Sequence, residues 1–447
     1  MLKFIYIFFL SLSIEGLIAQ DFHPWCYRPE NEYGKYISRT LTKLEKSSYS
    51  DPQDVNIIVY GQSLSKQNWW EILKDSLSRR YPSVNLNMIN RSIGGFPSQK
   101  LWKTTNFDIL PEYPDLVIFH VFGSHTHYEK ILKMIRSRTS SEVLVWNDPY
   151  TKENRWSDTM SYYLIPEYCE NFKLEFANIR SAWKSYFESE ETKPEEFTRK
   201  DGSHLNEKGN GLLARMLLQY FNYDPGFGKD PFHLSDTLDL NFKKDINRMD
   251  LEFTGNAIQI ILEDSIPENQ KFRILVNGLP PGSFPEGYYN TRPNDYPEKD
   301  WPWETGAVYH LENISEPENE IWNIRLIDRD DSLNRFSFEL HGSVSGFDGA
   351  GSSRLPFVSN SGKIVIQPED WFIKQAWLHS GIQIQKGYEV HWKTYTKATD
   401  FIIPLMSGEK SWIIQGLKNG EHLLQIVAFG DYPLPIKKII IHKPYLF

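Results

Sequence analysis

The chain has 447 residues and a formal net charge of −9, and a single hydrophobic core stops growing at about 250–300 residues, so two or three domains are expected. The mild acidity, with no Lys/Arg-rich tract that could neutralise phosphates, excludes nucleic acid as the partner. Aromatic residues make up 15% of the chain, with 14 tryptophans; such side chains either pack sugar faces or fill β-sandwiches, and composition does not choose between the two.

Residues 1–20, MLKFIYIFFLSLSIEGLIAQ, combine a cation at Lys3, an apolar stretch from Phe4 to Leu12 and a small Ala19, the layout of a secretory signal peptide. The stretch is too short to cross a bilayer, and no later window holds the ~18–20 apolar residues that a membrane helix needs. A secreted or periplasmic protein without a membrane span is expected. Residues 21–54, with Trp25 and Tyr33, form an N-terminal segment whose pattern does not say which half of the chain it joins. The two cysteines, Cys26 and Cys169, would form one disulfide in an oxidising compartment or remain two buried thiols.

From Val55 to Phe221 short apolar runs alternate with segments of helical period. The runs are VNIIVY (55–60), VNLNMI (84–89), DLVIFHVF (115–122) and EVLVWN (142–147). Between them, Trp69, Leu73 and Leu77 share one helical stripe, and Ile131, Met134 and Ile135 another; a last helix opens at Asn206 as N-cap and runs past Leu212, Leu213, Met216 and Leu217. This reads as a parallel sheet between helices, a three-layer α/β/α domain over residues 55–224. Prolines and glycines cluster in NYDPGFGKDPF, 222–232, marking a boundary. Beyond it, over residues 233–447, almost every recognisable element is a strand, among them AIQIILE, FRILVNGL, IWNIRLI, YEVHWKTYT, HLLQIVAF and IKKIIIHK. An all-β sandwich domain follows, as one sandwich or two.

Ser63 stands just past the first strand and before a helix, at the carboxyl edge of the sheet where open α/β folds place their sites. Asp201-Gly202-Ser203-His204 opens the last helix. An acid three residues before a histidine can bond the imidazole Nδ1 and present Nε2 to a nucleophile from another strand. The bland reading is a serine that caps a helix and a surface histidine. Ser65 is assigned as the cap of the helix after Ser63, His120 as a packing residue of its strand, and Asp148 as part of an Asp-Pro turn. His125 and His127 share a face of an extended segment, but no third ligand stands at a convincing spacing, so no metal is expected.

Gly61-Gln62-Ser63-Leu64, Asn90-Arg91-Ser92-Ile93-Gly94-Gly95, Gly123-Ser124-His125-Thr126 and Asp201-x-x-His204 resemble, in order and spacing, the four blocks of the SGNH (GDSL-type) hydrolase family. The likeness covers residues 55–221 and none of the C-terminal half. It implies a flavodoxin-like domain that cleaves esters without a cofactor, with Ser63 as nucleophile, His204 as base and Asp201 orienting it. It also implies an oxyanion hole made by the nucleophile's own N–H, the N–H of Gly95 and an asparagine side chain. Two positions depart from the pattern: Gln62 replaces the aspartate before the serine, and His125 stands at the oxyanion asparagine, where an imidazole N–H can serve as donor. Asn147, at the end of the fourth run, is a second candidate donor on the same edge.

The two-domain layout resembles secreted carbohydrate esterases that strip acetyl or similar acyl groups from a polysaccharide or oligosaccharide. Trp301 and Trp303, in a turn-rich stretch, are the candidate sugar-stacking residues, with core packing as the other reading. The alternative function is a catalytically degenerate scaffold that binds glycans.

Overall fold

Successive side chains of a strand face opposite sides of its sheet, so a strand covered on both faces must be apolar throughout. In the computed structural model, which describes residues 23–240, 246–294, 301–312 and 315–446, the apolar runs form five parallel strands: β1 (Asp54–Gly61), β2 (Asn85–Asn90), β3 (Leu116–His120), β4 (Glu142–Trp146) and β5 (Glu175–Ala177). Their order is β2-β1-β3-β4-β5, the doubly wound arrangement whose direction reverses between β1 and β3. One face of the sheet, with Val55, Ile57, Val59, Leu116, Ile118, Leu144 and Trp146, shares a core with Trp69, Leu73, Leu77, Trp183, Leu213 and Leu217. On the other face, Tyr60 and Phe119 stack at 6.2 Å, and Phe119 meets Tyr128 at 5.0 Å. Helices Trp69–Arg80, Ser98–Asp108 and His125–Arg138 connect successive strands, and Glu207–Leu218 closes the domain. Asn206 caps that last helix through its side chain on the Gly209 N–H, as its position predicts. The secretory segment expected at 1–20 lies outside the described residues.

Periodicity did not flag helices Ser98–Asp108, Arg155–Thr159, Ile165–Phe172 and Ile179–Ser189, nor the short β5. SQKLWKTTNFD is mostly polar, and β5 has only three residues, too few for a period to register.

The chain divides into two compact units. The first comprises residues through Gln99 with Pro114–Lys133 and Ser141–Phe232; the second comprises Lys100–Tyr113, Met134–Ser140 and His233 onward. The described part of the N-terminal segment lies in the first unit. It is held by acids at the amino ends of three strands. Asp115 accepts Lys43 Nζ at 2.9 Å, Glu142 accepts the backbone N–H of Arg39 and Thr40 at 2.9 and 2.8 Å, and Glu175 accepts Arg28 and the Tyr36 N–H, both at 2.9 Å. Glu142 and Glu175 thereby meet donors that would otherwise be unsatisfied in the interior. Cys26 and Cys169 are buried, free thiols; Cys26 donates to the Tyr162 carbonyl at 3.4 Å, and burial pushes its pKa up to about 12.

In the second unit two four-stranded antiparallel sheets face each other. One orders Phe401–Ile402, Phe272–Val276, Gly420–Ala428 and Arg248–Gly255; the other orders Lys410–Ile414, Ala257–Leu262, Ile436–His442 and Ser235–Asp239. Phe253, Ile258, Ile260, Ile274, Leu424 and Ile439 belong to their common core. A separate five-stranded antiparallel sheet, formed entirely within Tyr288–Thr396, is inserted between the paired strands Phe272–Val276 and Phe401–Ile402. The inserted region also carries a helix, Ile373–Ser380, that no sequence pattern announced. Two of its tryptophans, Trp322 and Trp392, are packing residues, opposed across two strands with their rings 6.2 Å apart and buried.

Candidate active site

At the carboxyl end of β1 the chain must leave the sheet immediately beside β3. A Cβ on Gly61 would lie 1.9 Å from the His120 carbonyl oxygen and 2.3 Å from Ser65 Oγ, so only glycine lets the two backbones approach this closely. The turn beyond it carries Ser63. Ser65 does not cap the following helix; it is buried, and its hydroxyl donates to the His120 carbonyl at 3.0 Å, tying the serine turn to β3. The helix begins at Trp69, and the acceptor for its Trp69 N–H is the side chain of the distant Asn210, at 3.1 Å.

Ser63 Oγ lies 3.1 Å from His204 Nε2, and His204 Nδ1 lies 2.9 Å from Asp201 Oδ2. A carboxylate only accepts, so Nδ1 carries the proton and Nε2 is left to accept from the serine hydroxyl. Asp201 Oδ1 accepts the backbone N–H of Ser203 and of His204, both at 2.8 Å. The His204 and Ser203 N–H groups, with the imidazole, hold the Asp201 carboxyl well below the usual carboxylate range. His204 and Asp201 have side chains 37% and 49% exposed, so the arrangement is open to solvent and reachable by a bulky substrate.

Two buried amides that sequence reasoning missed hold these loops together. Gln67 accepts the Leu205 N–H at 3.0 Å and donates to the Leu205 carbonyl at 3.3 Å; Asn210 donates to the Asn206 carbonyl at 2.8 Å while accepting from Trp69. The serine turn and the histidine loop, with the helices that follow them, are thereby joined at two points beyond the Ser63–His204 contact. Their signal was a polar residue embedded beside apolar helix positions, which by itself reads as surface.

The oxyanion candidates differ in their surroundings. Among the described residues the N–H groups of Ser63 and Gly95 have no hydrogen-bond partner. Gly95 adopts φ +75°, a left-handed conformation suited to glycine. Its loop is tied to the serine turn by Ile93 N–H to the Gly61 carbonyl at 3.0 Å and Asn90 Nδ2 to the Ser65 carbonyl at 2.8 Å. His125 is the first residue of its helix and is exposed. Asn147 is buried, with Nδ2 donating to Asn178 Oδ1 and Oδ1 accepting the Arg180 N–H, both at 2.9 Å. Its oxygen and one of its two amide N–H donors are engaged in structure, and the residue is wholly buried and does not line the cavity beside Ser63.

A cavity of about 250 Å³ opens beside Ser63 and His204, bounded also by Phe122, Asp148, Asn154 and Arg180; Gly95 and His125 do not line it. Asp148 is more than an Asp-Pro turn. Its carboxylate lies 3.0 Å from His120 Nε2 and accepts the Ser157 hydroxyl at 2.6 Å. Burial pushes its pKa up, but His120, Ser157 and Arg180 outweigh that effect and hold it below its ordinary value. His120 is buried, as expected of a packing residue, yet it also steers a cavity acid.

Trp301 and Trp303 belong to the second unit. Trp301 is 3% exposed, with its indole N–H donating to the Thr305 carbonyl at 2.6 Å. Trp303 is half-buried, 5.7 Å from the Phe372 ring and 5.2 Å from His379. Trp301 is thus a packing residue with no ring face to offer a sugar. Among the described residues no cluster of three or more His, Cys, Asp or Glu could hold a metal ion, and no helix is long and apolar enough to cross a membrane.

No protein-family model and no curated protein matches the chain. Among solved structures it is similar to a two-domain esterase active on acetylated mannans, at 12% identity and a TM-score of 0.36, over 91% of this chain and 95% of that one. It is also similar to an acetylxylan esterase from Geobacillus stearothermophilus, at 16% identity and a TM-score of 0.34, over 39% of this chain and 95% of that one. A third likeness is to a lipase/acylhydrolase from Enterococcus faecalis, at 18% identity and a TM-score of 0.31, over 38% of this chain and 94% of that one.

Proposed function

We propose that the chain is a secreted serine esterase that removes acetyl or similar short acyl groups from a carbohydrate. The observation that carries this reading is the continuous run of contacts from Ser63 Oγ through His204 to Asp201, at 3.1 and 2.9 Å. His204 Nε2 takes the hydroxyl proton as Ser63 Oγ attacks the ester carbonyl carbon, and the carbonyl oxygen becomes an oxyanion. The uncommitted N–H groups of Ser63 and Gly95 stabilise that charge. Collapse of the tetrahedral intermediate breaks the bond to the sugar oxygen, which receives the proton from His204. Water, activated by the same imidazole, then releases the acid from Ser63. Asp201 keeps its charge throughout and fixes the ring and its tautomer.

The polar, solvent-open surroundings of the triad support a hydrophilic substrate. Export through residues 1–20 would bring the enzyme to extracellular or periplasmic polysaccharide. The test is acid release from p-nitrophenyl acetate and from acetylated polysaccharides by the parent protein, Ser63→Ala and His204→Ala. The reading expects release by the parent and a loss of about 10³-fold or more in each variant. A folded parent with no release from any of these esters would contradict it.

A further inference from the structure

The strand order places the carboxyl ends of β1 and β3 side by side at the switch point of the sheet. Ser63 follows β1, Phe122 follows β3 and Asp148 follows β4, and all three line the one cavity. Phe122, just past the end of β3, is 44% exposed and turns its ring toward this cavity. It is also held still. Its ring lies 4.3 Å from that of Trp156, tilted by 52°, and the Trp156 indole N–H donates to the Gly123 carbonyl at 3.0 Å. Gly123 is packed closely, and a Cβ there would lie 2.3 Å from Gln99 Oε1 and 2.9 Å from the Ser98 nitrogen.

The polar groups around this ring differ in what they offer. Asp148 presents an acceptor-only carboxylate whose side chain is 17% exposed, and its loop is anchored by the His120 and Ser157 contacts. Asn154 caps a helix through Oδ1, which accepts the N–H groups of Trp156 and Ser157 at 3.0 and 3.1 Å. That bonding fixes which end of the amide is oxygen, so its NH₂ is the end left to donate, and it has no partner among the described residues. Arg180 is engaged by Asp158 at 2.7 Å and by the Lys152 carbonyl at 3.1 Å, and so belongs to the wall.

We propose that Phe122, Asp148 and Asn154 form the subsite for the alcohol half of the ester, and that its occupant is a pyranose with free hydroxyls next to the acylated one. A flat apolar ring suits the C–H face of a sugar, a carboxylate accepts from its hydroxyls, and an amide NH₂ donates to them. An acetyl group has no donor for Asp148. At about 250 Å³ the cavity is smaller than the roughly 300–1,000 Å³ of drug-sized sites, which matches one sugar ring with its acyl group. The subsite rests on the esterase reading for its place in a reaction, and it can be tested without turnover.

The experiment is calorimetric titration of the full chain carrying Ser63→Ala with mannopentaose and with xylopentaose. The expected result is binding of at least one of them. Phe122→Ala in the same background should weaken it about 3- to 10-fold, and Asp148→Asn about 10-fold or more. Phe122 is surface-exposed, so its variant stays folded even if the loss of the Asp148 charge disturbs His120; thermal melts of both confirm it. No binding of either sugar, or binding that both variants leave intact, overturns the subsite. If the parent fails to hydrolyse p-nitrophenyl acetate while sugar binding still depends on Phe122, the esterase reading falls and the subsite stands. If the parent hydrolyses the ester and binding ignores both variants, the subsite alone falls.

Discussion

Gln67 is the most informative residue to change, because it lies between the two loops of the triad without belonging to it. Its side chain is 9% exposed and makes two hydrogen bonds to Leu205, the neighbour of His204. Gln67→Met keeps the volume and removes only the polar contacts. The Leu205 carbonyl retains Arg199 Nε at 3.1 Å, but the Leu205 N–H loses its acceptor inside the protein. Leaving one buried donor unsatisfied costs about 1–3 kcal/mol. The backbone can recover part of that by shifting toward solvent, carrying the adjacent imidazole with it. A displacement of ~1 Å at a reacting group costs on the order of 10²-fold in rate, and the Ser63–His204 contact, at 3.1 Å, has no slack to absorb it. The expected outcome is a thermal midpoint lowered by about 2–12 °C and a kcat on p-nitrophenyl acetate lowered by about 10- to 100-fold. A variant that loses stability as expected but keeps kcat within about threefold would refute the reasoning, since Gln67 would then hold the fold and not the triad.

His125→Ala should keep kcat within about threefold, because His125 is exposed and no hydrogen bond among the described residues fixes its ring toward Ser63; a fall of the ~10²–10³-fold typical of a lost oxyanion donor would assign it that role. Glu175 should make stability depend on pH. Burial, opposed by Arg28 and the Tyr36 and Gly34 N–H groups, raises its pKa from 4.5 to about 7. The folded state then binds this proton more tightly than the unfolded state, so the contribution grows as pH falls from about 7 toward 4.5 and is lost as pH rises through about 7. Thermal melts at pH 5 and pH 8 should show the parent gaining stability on acidification relative to Glu175→Gln; equal shifts in the two proteins would contradict the assignment.

The parallel sheet and the meeting of Ser63, His204 and Asp201 were legible because each leaves a local trace. Apolar runs such as VNIIVY mark strands buried on both faces, and Asp201 and His204 stand three residues apart ahead of a capped helix. Elements without a local trace were missed. Gln67 acts on Leu205, 138 residues away, and nothing near either residue announces the pairing. The inserted five-stranded sheet separates strands that pair in space, Phe272–Val276 and Phe401–Ile402, so a one-dimensional reading could not tell one sandwich from two. Asn147 sits at the right edge of the sheet, yet its amide is engaged at both ends by Asn178 and Arg180. Trp301 looked available for stacking because turn-rich sequence reads as surface; it is buried instead. Phe122, absorbed into the run DLVIFHVF as one more apolar strand residue, lies past the end of β3 and is the aromatic ring that lines the cavity.

The central claim is that Ser63 is a nucleophile activated by His204, and covalent trapping tests it most directly. Intact mass spectrometry of the full chain after exposure to an alkyl fluorophosphonate should show a single adduct, mapped to Ser63 by peptide analysis. The adduct should be absent in Ser63→Ala and should form at least about 10²-fold more slowly in His204→Ala. A label on another residue, or one that forms on Ser63 equally fast without His204, would contradict the account.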